Sequence, residues 1–239
     1  MKQLTSILGM IVVLAALAHA QTPPTWTDET GASLTSPVLA DLDGDGSPEA
    51  LVAAYDSSGG LLFAWHGDGT RVAGFPVFLI GGAVAPVAVG DVLGVHGIPK
   101  IAVSTTQRAY LLHANGNVMP GWPIRRNGSS PPSLADLDGD GDLEVLVPGS
   151  GELAAFHHDG VPVTGFPVPA QDELTGVAVG DLDADGDPEI VAGSFFGGAL
   201  PSEYVFAWHH DGTPVIGFPI PTPGPVRGTP LLIDLDADP

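Results

Sequence analysis

Short apolar runs, separated by turns rich in glycine and proline, follow one another along the chain after residue 20. Apolar runs of this length between turn signals favour buried β-strands, and they lack the 3.6-residue periodicity of an amphipathic helix. The first unit of the pattern predicts four strands, at Ser36 to Leu42, Ala50 to Tyr55, Leu61 to His66 and Arg71 to Phe78. The pattern therefore predicts an all-β protein built from antiparallel hairpins.

This four-strand unit repeats. Each unit has an aspartate at the start of its first loop, and these aspartates are spaced by 50, 45, 45 and 53 residues: Asp41, Asp91, Asp136, Asp181 and Asp234. A Gly-Phe-Pro or Gly-Trp-Pro marker keeps the same spacing, at 74–76, 121–123, 165–167 and 217–219. An Asp-Gly or Asn-Gly pair does so too, at 68–69, 115–116, 159–160 and 211–212. Such a pair between apolar runs predicts a hairpin with a type I′ turn.

Four antiparallel strands every 45 to 50 residues are typical of a β-propeller blade. A stack of β-sandwich domains is the main alternative, but it needs about 90–100 residues per domain. We therefore predict a β-propeller of four-stranded antiparallel blades, with four blades and the first strand of a fifth. The predicted blades are residues 34–83, 84–128, 129–174 and 175–226, followed by a truncated blade at 227–239.

Three of the first loops share one acidic pattern, with carboxylates at positions 1, 3, 5 and 9 of a glycine-containing segment. Carboxylates this close repel one another by roughly 4 kcal/mol per close pair at an effective dielectric constant near 20. Because Ca²⁺ binds about 6–8 oxygen ligands, the pattern predicts three complete calcium sites. An EF-hand is excluded because its glutamate stands at position 12, between two helices. The predicted ligands are Asp41, Asp43, Asp45 and Glu49; Asp136, Asp138, Asp140 and Glu144; and Asp181, Asp183, Asp185 and Glu189.

Two further loops depart from this pattern. In the second unit, Leu93, Val95 and Pro99 occupy positions 3, 5 and 9, and Lys100 adds a positive charge, so we expect no calcium at Asp91. The last loop stops before its glutamate and predicts a fourth, truncated calcium site, at Asp234, Asp236 and Asp238. Because the sequence stops inside a metal loop, we expect it to be a fragment of a longer chain.

The first twenty residues predict a secretory signal peptide. Lys2 gives a basic start, residues 7–18 are apolar, and Ala18-His19-Ala20 is a small-x-small cleavage site. The mature chain is then 21–239, and we expect it to be secreted, in an extracellular or periplasmic location. No later segment has the roughly 20 consecutive apolar residues that a membrane span needs.

The charge, the lack of cysteine and the lack of catalytic motifs exclude several classes of function. The formal net charge is −21, with 7 basic residues against 28 acidic ones. Nucleic acid is therefore not an expected partner, because binding it depends on clusters of Lys and Arg. The absence of cysteine excludes disulfides, thiol catalysis and zinc–thiolate sites. A nucleophile elbow, a His-Glu-x-x-His motif and a P-loop are also absent, so we expect this chain not to be an enzyme.

Other residues recur at matched positions. A histidine precedes each Asp-Gly or Asn-Gly turn, and we interpret it as bracing that turn, with a ring of metal or substrate ligands as the alternative. The recurrent aromatics are interpreted as inter-blade core, with a sugar-stacking platform as the alternative. An insertion at 194–204 breaks the repeat and is a candidate ligand-binding loop. The histidines are His66, His113, His157 and His209.

The repeated unit resembles the FG-GAP/VCBS-type repeat, which is the calcium-binding blade of integrin α-subunit propellers and of many secreted bacterial proteins. That family's loop, Asp-x-Asp/Asn-x-Asp/Asn-Gly-x-x-Asp/Glu, matches all three complete loops. The resemblance implies a backbone carbonyl ligand at position 7, which is Ser47, Asp142 and Asp187 here. It also implies a parent propeller of about seven blades, whose missing remainder would be a partner of this chain.

These features together predict a secreted calcium-binding β-propeller that acts as a binding or adhesion module for a protein or glycan ligand. The alternative is a non-catalytic propeller that forms part of a larger secreted hydrolase or lyase.

Overall fold

The computed structural model describes residues 33–56, 59–82, 85–94, 97–128, 130–195 and 203–233. Sixteen β-strands occupy this part of the chain, and every strand pair in it is antiparallel. The all-β prediction is confirmed, because the described residues contain no helix. They accordingly contain no helix that could cross a membrane. The predicted signal peptide and the truncated loop at 234–239 lie outside the described residues.

The first sheet forms one four-stranded unit whose first strand is interrupted. The two short strands β1 and β2 both pair with the same edge of β3, through Ser33↔Tyr55 and Val38↔Leu51. From β3 the sheet continues to β4 and β5. Its strands are β1 (Ser33–Leu34), β2 (Val38–Ala40), β3 (Glu49–Asp56), β4 (Gly59–Trp65) and β5 (Val77–Leu79).

The second sheet repeats this order with four strands, each paired with the next along the chain. Its strands are β6 (Ala88–Gly90), β7 (Lys100–Ser104), β8 (Arg108–His113) and β9 (Ile124–Arg125).

The third sheet contains the last two units, because one long strand belongs to both. In β13, Val168 pairs with Leu153 of the preceding unit, and Gly180 pairs with Glu189 of the following one. The strand therefore runs across the predicted blade boundary between residues 174 and 175. The strands are β10 (Ser133–Ala135), β11 (Glu144–Pro148), β12 (Ser150–Phe156), β13 (Val168–Gly180), β14 (Glu189–Phe195), β15 (Glu203–His209) and β16 (Ile220–Thr222).

The fourth strand of each unit is interrupted, where the sequence predicts a continuous strand. In the first unit Arg71 makes only a single bridge to Trp65, and the ladder resumes at Val77. Between them the Phe75 N–H donates to the Val72 carbonyl and closes a turn. Pro76 has no N–H to continue a ladder, which explains why the predicted strand 71–78 is interrupted.

The predicted hairpins at the Asp-Gly pairs are confirmed, but the turn type differs. In the first unit the Gly69 N–H donates to the His66 carbonyl, and the His66 N–H donates to the Thr70 carbonyl. Gly69 has a φ of 85°, whereas Asp68 has a negative φ. A type I′ turn needs positive φ at both central residues, so this is a three-residue loop of the type I turn and G1 bulge class. Asp68 Oδ1 accepts the Thr70 N–H at 2.9 Å and closes the loop.

The core lies between sheets, because alternate residues of a strand face opposite neighbours. In β7, Ile101 and Val103 pack against the first unit, and Ala102 between them packs against the third unit. A corresponding cluster joins the third and fourth units through Leu146 and Ile190. Fully burying a large aliphatic side chain contributes about 1.5–3 kcal/mol, so stacking provides the burial that a lone sheet cannot reach.

The Gly-aromatic-Pro marker makes the joint between units. A Cβ atom added to Gly121 would overlap the Asp159 carbonyl oxygen in the next unit, and Gly74 and Gly165 face the corresponding carbonyls of Asn115 and Asp211. Beside this joint, the Trp122 Nε1–H donates to the His158 carbonyl at 3.0 Å. Phe75, Trp122 and Phe166 are buried in the clusters between units, which confirms the interpretation of these three marker aromatics as inter-blade core.

The fourth unit carries the same marker glycine, Gly217, and no described residue lies where the next unit contacts the other markers. A Cβ atom on Gly217 would meet nothing within 4 Å. Leu182 is 41% exposed, whereas its counterparts Leu42 and Leu137 are each 2% exposed. The last unit is therefore open around Gly217 and Leu182 in the described part of the chain, whereas Val226 and Leu232 pack against its strands β14 and β13.

We expect Gly121→Ala to lower the free energy of unfolding by about 3–4 kcal/mol, because it combines a left-handed alanine with overlap at the joint. The matched control is Gly217→Ala, which places alanine at a similar φ of 95° but in open space. It should cost only about 1–2 kcal/mol for the backbone conformation. Urea unfolding monitored by tryptophan fluorescence compares the two, and equal losses would contradict the proposed joint.

Candidate metal centres in the acidic loops

The three acidic loops lie at one end of their sheets, each between the first and second strand of a unit. They connect β2 to β3, β10 to β11 and β13 to β14. In each loop the carboxylates at positions 3 and 5 are exposed, whereas the glutamate at position 9 is buried. The loops therefore present two kinds of carboxylate, one facing solvent and one below it.

Backbone N–H groups hold the exposed carboxylates in place. In the first loop Asp41 Oδ1 accepts the Gly44 N–H at 2.7 Å, and Asp41 Oδ2 accepts the Gly46 N–H at 2.8 Å. Asp45 Oδ1 accepts the Ser47 N–H at 2.7 Å. The second loop repeats all three bonds, and the third loop shows two of them, to Asp181 and Asp185. Because a carboxylate has about four lone-pair positions, each group retains capacity for a cation.

These carboxylates converge closely enough to share an ion. One oxygen from each of Asp41, Asp43 and Asp45 lies within 4.8 Å of the others, and the same is true of Asp136, Asp138 and Asp140. Three negative charges at this separation repel one another strongly unless a cation neutralises them. An all-oxygen donor set suits a hard divalent cation. The donor chemistry of the predicted ligands therefore fits calcium.

The glutamate at position 9 ties each loop to its sheet. Glu49, Glu144 and Glu189 are at most 1% exposed. Their Oε2 atoms accept the N–H of the leucine at position 2, at 2.8, 2.8 and 2.7 Å respectively. The buried carboxylate thus satisfies a backbone donor that would otherwise be unpaired.

The recurrent histidine binds the other oxygen of the same glutamate. His66 Nδ1 lies 3.1 Å from Glu49 Oε1, His157 Nδ1 lies 3.1 Å from Glu144 Oε1, and His209 Nδ1 lies 3.0 Å from Glu189 Oε1. Each of these histidines contacts the acidic loop of its own unit, so they do not form one ring of ligands. The sequence analysis interpreted each histidine as bracing its turn and did not predict the contact with the glutamate.

A second group of possible ligands results from this contact. Asp43, Glu49 and His66 offer ligand atoms within 4.8 Å of one another, as do Asp138, Glu144 and His157, and Asp183, Glu189 and His209. The aspartate at position 3 belongs to both groups in the first two acidic loops. This aspartate is therefore the residue that connects the exposed carboxylates with the buried glutamate.

The pKa values of Glu144 and His209 are shifted by burial and by hydrogen bonds, which oppose each other. Burial is the largest influence on Glu144 and raises its pKa, while the Leu137 N–H and His157 partly oppose that rise. The hydrogen bond to Glu189 is the largest influence on His209 and raises its pKa. A divalent cation beside Glu144 would favour the ionised carboxylate and offset the effect of burial.

The second unit replaces the glutamate with a lysine. Gly90 pairs with Lys100 in the same register in which Gly180 pairs with Glu189. Lys100 therefore occupies position 9, and the sequence prediction that Pro99 stands there is wrong. Lys100 is 7% exposed, and its ammonium group donates to the Ile98 carbonyl at 2.6 Å. The loop is one residue longer here, which explains the shift.

A cleft of about 520 Å³ lies between the first acidic loop and this lysine. Asp43 and His66 line one side, and Lys100, His113 and Asn115 line the other. The cleft therefore combines a carboxylate, two imidazoles and an ammonium group at the joint between the first two units.

The side chains at position 7 point to histidines in two of the loops. Asp142 Oδ2 lies 3.2 Å from His158 Nδ1, and Asp187 Oδ2 lies 3.9 Å from His210 Nδ1. The second distance is too long for a hydrogen bond, and His210 Nδ1 has none in the described structure. A histidine therefore engages the Asp142 side chain, whereas the Asp187 side chain makes no hydrogen bond to His210.

Some predicted site residues cannot be placed. Asp234, Asp236 and Asp238 lie outside the described residues, as does 196–202 of the insertion. The fourth calcium site therefore remains a prediction, and so does the role of the insertion.

Position 4 of the loops adopts a left-handed conformation. Gly44 and Gly139 have φ values of 80° and 75°, and Ala184 takes the same place in the third loop with a φ of 61°. Among the described residues Ala184 is the only one other than glycine with positive φ. An L-residue with a Cβ pays roughly 1–2 kcal/mol for this conformation.

We expect Ala184→Gly to raise the free energy of unfolding by about 0.5–1 kcal/mol, the strain relieved less the entropy that glycine gains in the unfolded chain. Gly139→Ala should lower it by a similar amount, since its added Cβ would meet nothing within 4 Å. Thermal unfolding at fixed calcium concentration measures both. A loss of stability in Ala184→Gly would show that the third loop is not strained.

Comparison with known proteins places this arrangement in a family context. The FG-GAP-like repeat profile matches residues 136–192, which span the second and third acidic loops. No curated protein sequence gives a significant match.

Several solved structures are similar to this chain, and one of them, BBS1N, has a TM-score above 0.5. BBS1N in complex with ARL6DN is 14% identical, with a TM-score of 0.51, over 80% of this chain and 53% of that one. The Vibrio cholerae biofilm matrix protein Bap1 is 20% identical, with a TM-score of 0.43, over 77% of this chain and 39% of Bap1. The Neurospora crassa Pan2 WD40 domain is 14% identical, with a TM-score of 0.42, over 80% of this chain and 66% of that domain. This chain thus spans about half or less of the first two.

The repeated antiparallel sheets, the FG-GAP-like repeat match and the similarity to BBS1N agree with one another. The chain is a β-propeller protein that contains FG-GAP-like repeat sequence at residues 136–192.

Proposed function

We propose that this protein is a calcium-binding β-propeller that acts outside the cell as a non-catalytic binding module. The observation that carries the proposal is the recurrence of one hydrogen-bonded frame in three acidic loops, in the first two of which three aspartate oxygens lie within 4.8 Å of one another. Residues 136–192, which match the FG-GAP-like repeat, contain two of those loops.

In each loop the proposed ligands are the aspartates at positions 1, 3 and 5 and the carbonyl at position 7. In the first loop these are Asp41, Asp43, Asp45 and Ser47. Glu49 closes the site from below, where its contacts to Leu42 and His66 fix its orientation. Calcium supplies positive charge that removes the repulsion among these carboxylates. The chain's own contribution is the frame of backbone N–H groups that holds the loop in shape before the ion arrives.

Calcium is favoured over other divalent ions by the donor types. Mg²⁺ demands a near-ideal octahedron and retains several waters, whereas Ca²⁺ accepts an irregular set of carboxylate and carbonyl oxygens. Zn²⁺ prefers nitrogen and sulfur donors, whereas the recurrent donors of each loop are carboxylate and carbonyl oxygens, and His66, His157 and His209 are bound through Nδ1 to the buried glutamates. Extracellular calcium modules typically bind with Kd on the order of 10⁻⁴–10⁻³ M, which suits the predicted secretion.

The binding role is supported by the way the sheets present their loops. The core is formed by packing between sheets. The loops that connect the strands, at both ends of each sheet, are therefore free to vary in sequence. The cleft at Asp43, His66, Lys100 and His113 is large enough for a small ligand or one side chain of a partner. The ligand is a protein or a glycan in this proposal.

Calcium titration tests the metal sites. Isothermal titration calorimetry of the full chain should count three sites, and thermal unfolding should shift upward with Ca²⁺ by RT ln(1 + [Ca²⁺]/Kd) per site. Mg²⁺ at equal concentration should produce a smaller shift. Chelation with EGTA should reverse the calcium effect.

Matched variants assign the sites. Asp138→Asn preserves the side-chain shape and should reduce the count to two. Asp91→Asn, in the loop that lacks the pattern, should leave three. Calcium binding that is unaffected by Asp138→Asn, or no calcium response in a folded protein, would overturn the proposal.

A further inference from the structure

A second cleft, of about 400 Å³, lies between the second and third sheets, and its lining contains three arginines and one carboxylate, that of Glu152. It stands at the end of the sheets opposite the acidic loops. Arg108 begins the third strand of its unit and Arg125 ends the fourth, whereas the acidic loops connect first strands to second strands. Antiparallel strands reverse direction, so these two sets of residues occupy opposite ends.

This cleft concentrates the positive charge of a strongly acidic protein. The chain has 7 lysines and arginines in all, and Arg108, Arg125 and Arg126 are three of them. Arg108 and Arg125 stand directly opposite each other in the register of β8 and β9. Like charges at directly opposed positions of an antiparallel pair destabilise a sheet. The arrangement therefore needs a compensating negative charge.

The chain compensates only one of the three arginines. Arg126 forms an ion pair with Glu152 and lies over the Phe156 ring, 5.2 Å from its centroid. Within the described residues, Arg108 and Arg125 have no carboxylate partner. Glu173 pairs in register with Ser150 but does not line the cleft. Two guanidinium groups therefore remain uncompensated at one site.

The walls of the cleft are fixed by the backbone. The Arg126 N–H donates to the Gln107 carbonyl at 3.1 Å, and the Ser150 N–H donates to the Asn127 carbonyl at 3.3 Å. The first bond joins two segments of the second sheet's unit, and the second joins that unit to the third sheet. The arginines consequently stand on a preformed surface, which lowers the entropy cost of binding.

We propose that this cleft binds a small oxyanion, a carboxylate or sulfate group, between Arg108 and Arg125. The planar guanidinium fork matches the oxygens of such groups with two parallel hydrogen bonds. The amides of Gln107 and Asn127 and the hydroxyl of Ser150 add neutral hydrogen-bonding groups around the anion. The volume is sufficient for a charged monosaccharide. This site is independent of the calcium loops and of the function proposed for them.

Calorimetry with two anions and a neutral sugar tests the site. Glucuronate supplies a carboxylate on a sugar, sodium sulfate supplies a tetrahedral oxyanion, and glucose is the uncharged control. The full chain should bind glucuronate or sulfate, and glucose should give no saturable heat. Competition between the two anions would assign both to one site, while binding of only one identifies which oxyanion the arginines select.

Variants locate the binding. Arg108→Gln and Arg125→Gln should each weaken anion binding about 10-fold or more, since each removes a charge-assisted, bidentate contact. Neither should lower the melting temperature without ligand, because each relieves the opposition of like charges. Arg71→Gln, an equal change of charge at an exposed site elsewhere, should leave the affinity unchanged.

Two outcomes would overturn this proposal. One is the absence of saturable binding of both anions, and the other is anion binding that Arg108→Gln and Arg125→Gln leave intact. The Asp138→Asn variant should still bind the anion. Failure of the anion proposal can therefore be distinguished from failure of the calcium proposal.

Discussion

The buried glutamate at the end of each acidic loop is the interaction on which the arrangement of the site depends. Glu49, Glu144 and Glu189 lie where a loop rejoins its sheet, and each uses one oxygen for a loop N–H and the other for a turn histidine. A buried carboxylate without such partners would cost several kcal/mol, so these contacts are required wherever the residue is present. The loop and the neighbouring hairpin are thereby held to one carboxyl group.

The second unit shows what the fold does without that glutamate. Lys100 takes its place and donates to the Ile98 carbonyl. Ile101, Ala102 and Val103 nevertheless alternate between the two neighbouring sheets, as the strand residues of other units do. The stacking of sheets therefore arises from side-chain alternation, and the acidic loops are added to it. Site chemistry and core packing are separable in this protein.

Much of this architecture can be predicted from local patterns. The strands follow from short apolar runs, and the carboxylates of each site lie within nine consecutive residues, so their spacing alone indicates a cation. The glutamate–histidine contacts could not be predicted in this way, because 13 to 20 residues separate the partners and only the register of two strands brings them together. The same holds for Arg108 and Arg125, whose opposition depends on the pairing of β8 with β9. Sequence spacing also placed Pro99 where the register places Lys100, since an added loop residue leaves no local signal.

The joint at Gly121 has a consequence for how units can be combined. The contact is made by a glycine backbone against a carbonyl oxygen, and its geometry recurs at Gly74 and Gly165. Main-chain atoms are the same in every unit, so this coupling does not depend on which side chains its neighbours carry. The second unit lacks the acidic pattern in its loop and the fourth carries an inserted segment, and both make the same glycine–carbonyl contact with a neighbour. Consecutive units are therefore joined by one backbone contact that tolerates changes in the loops of either unit.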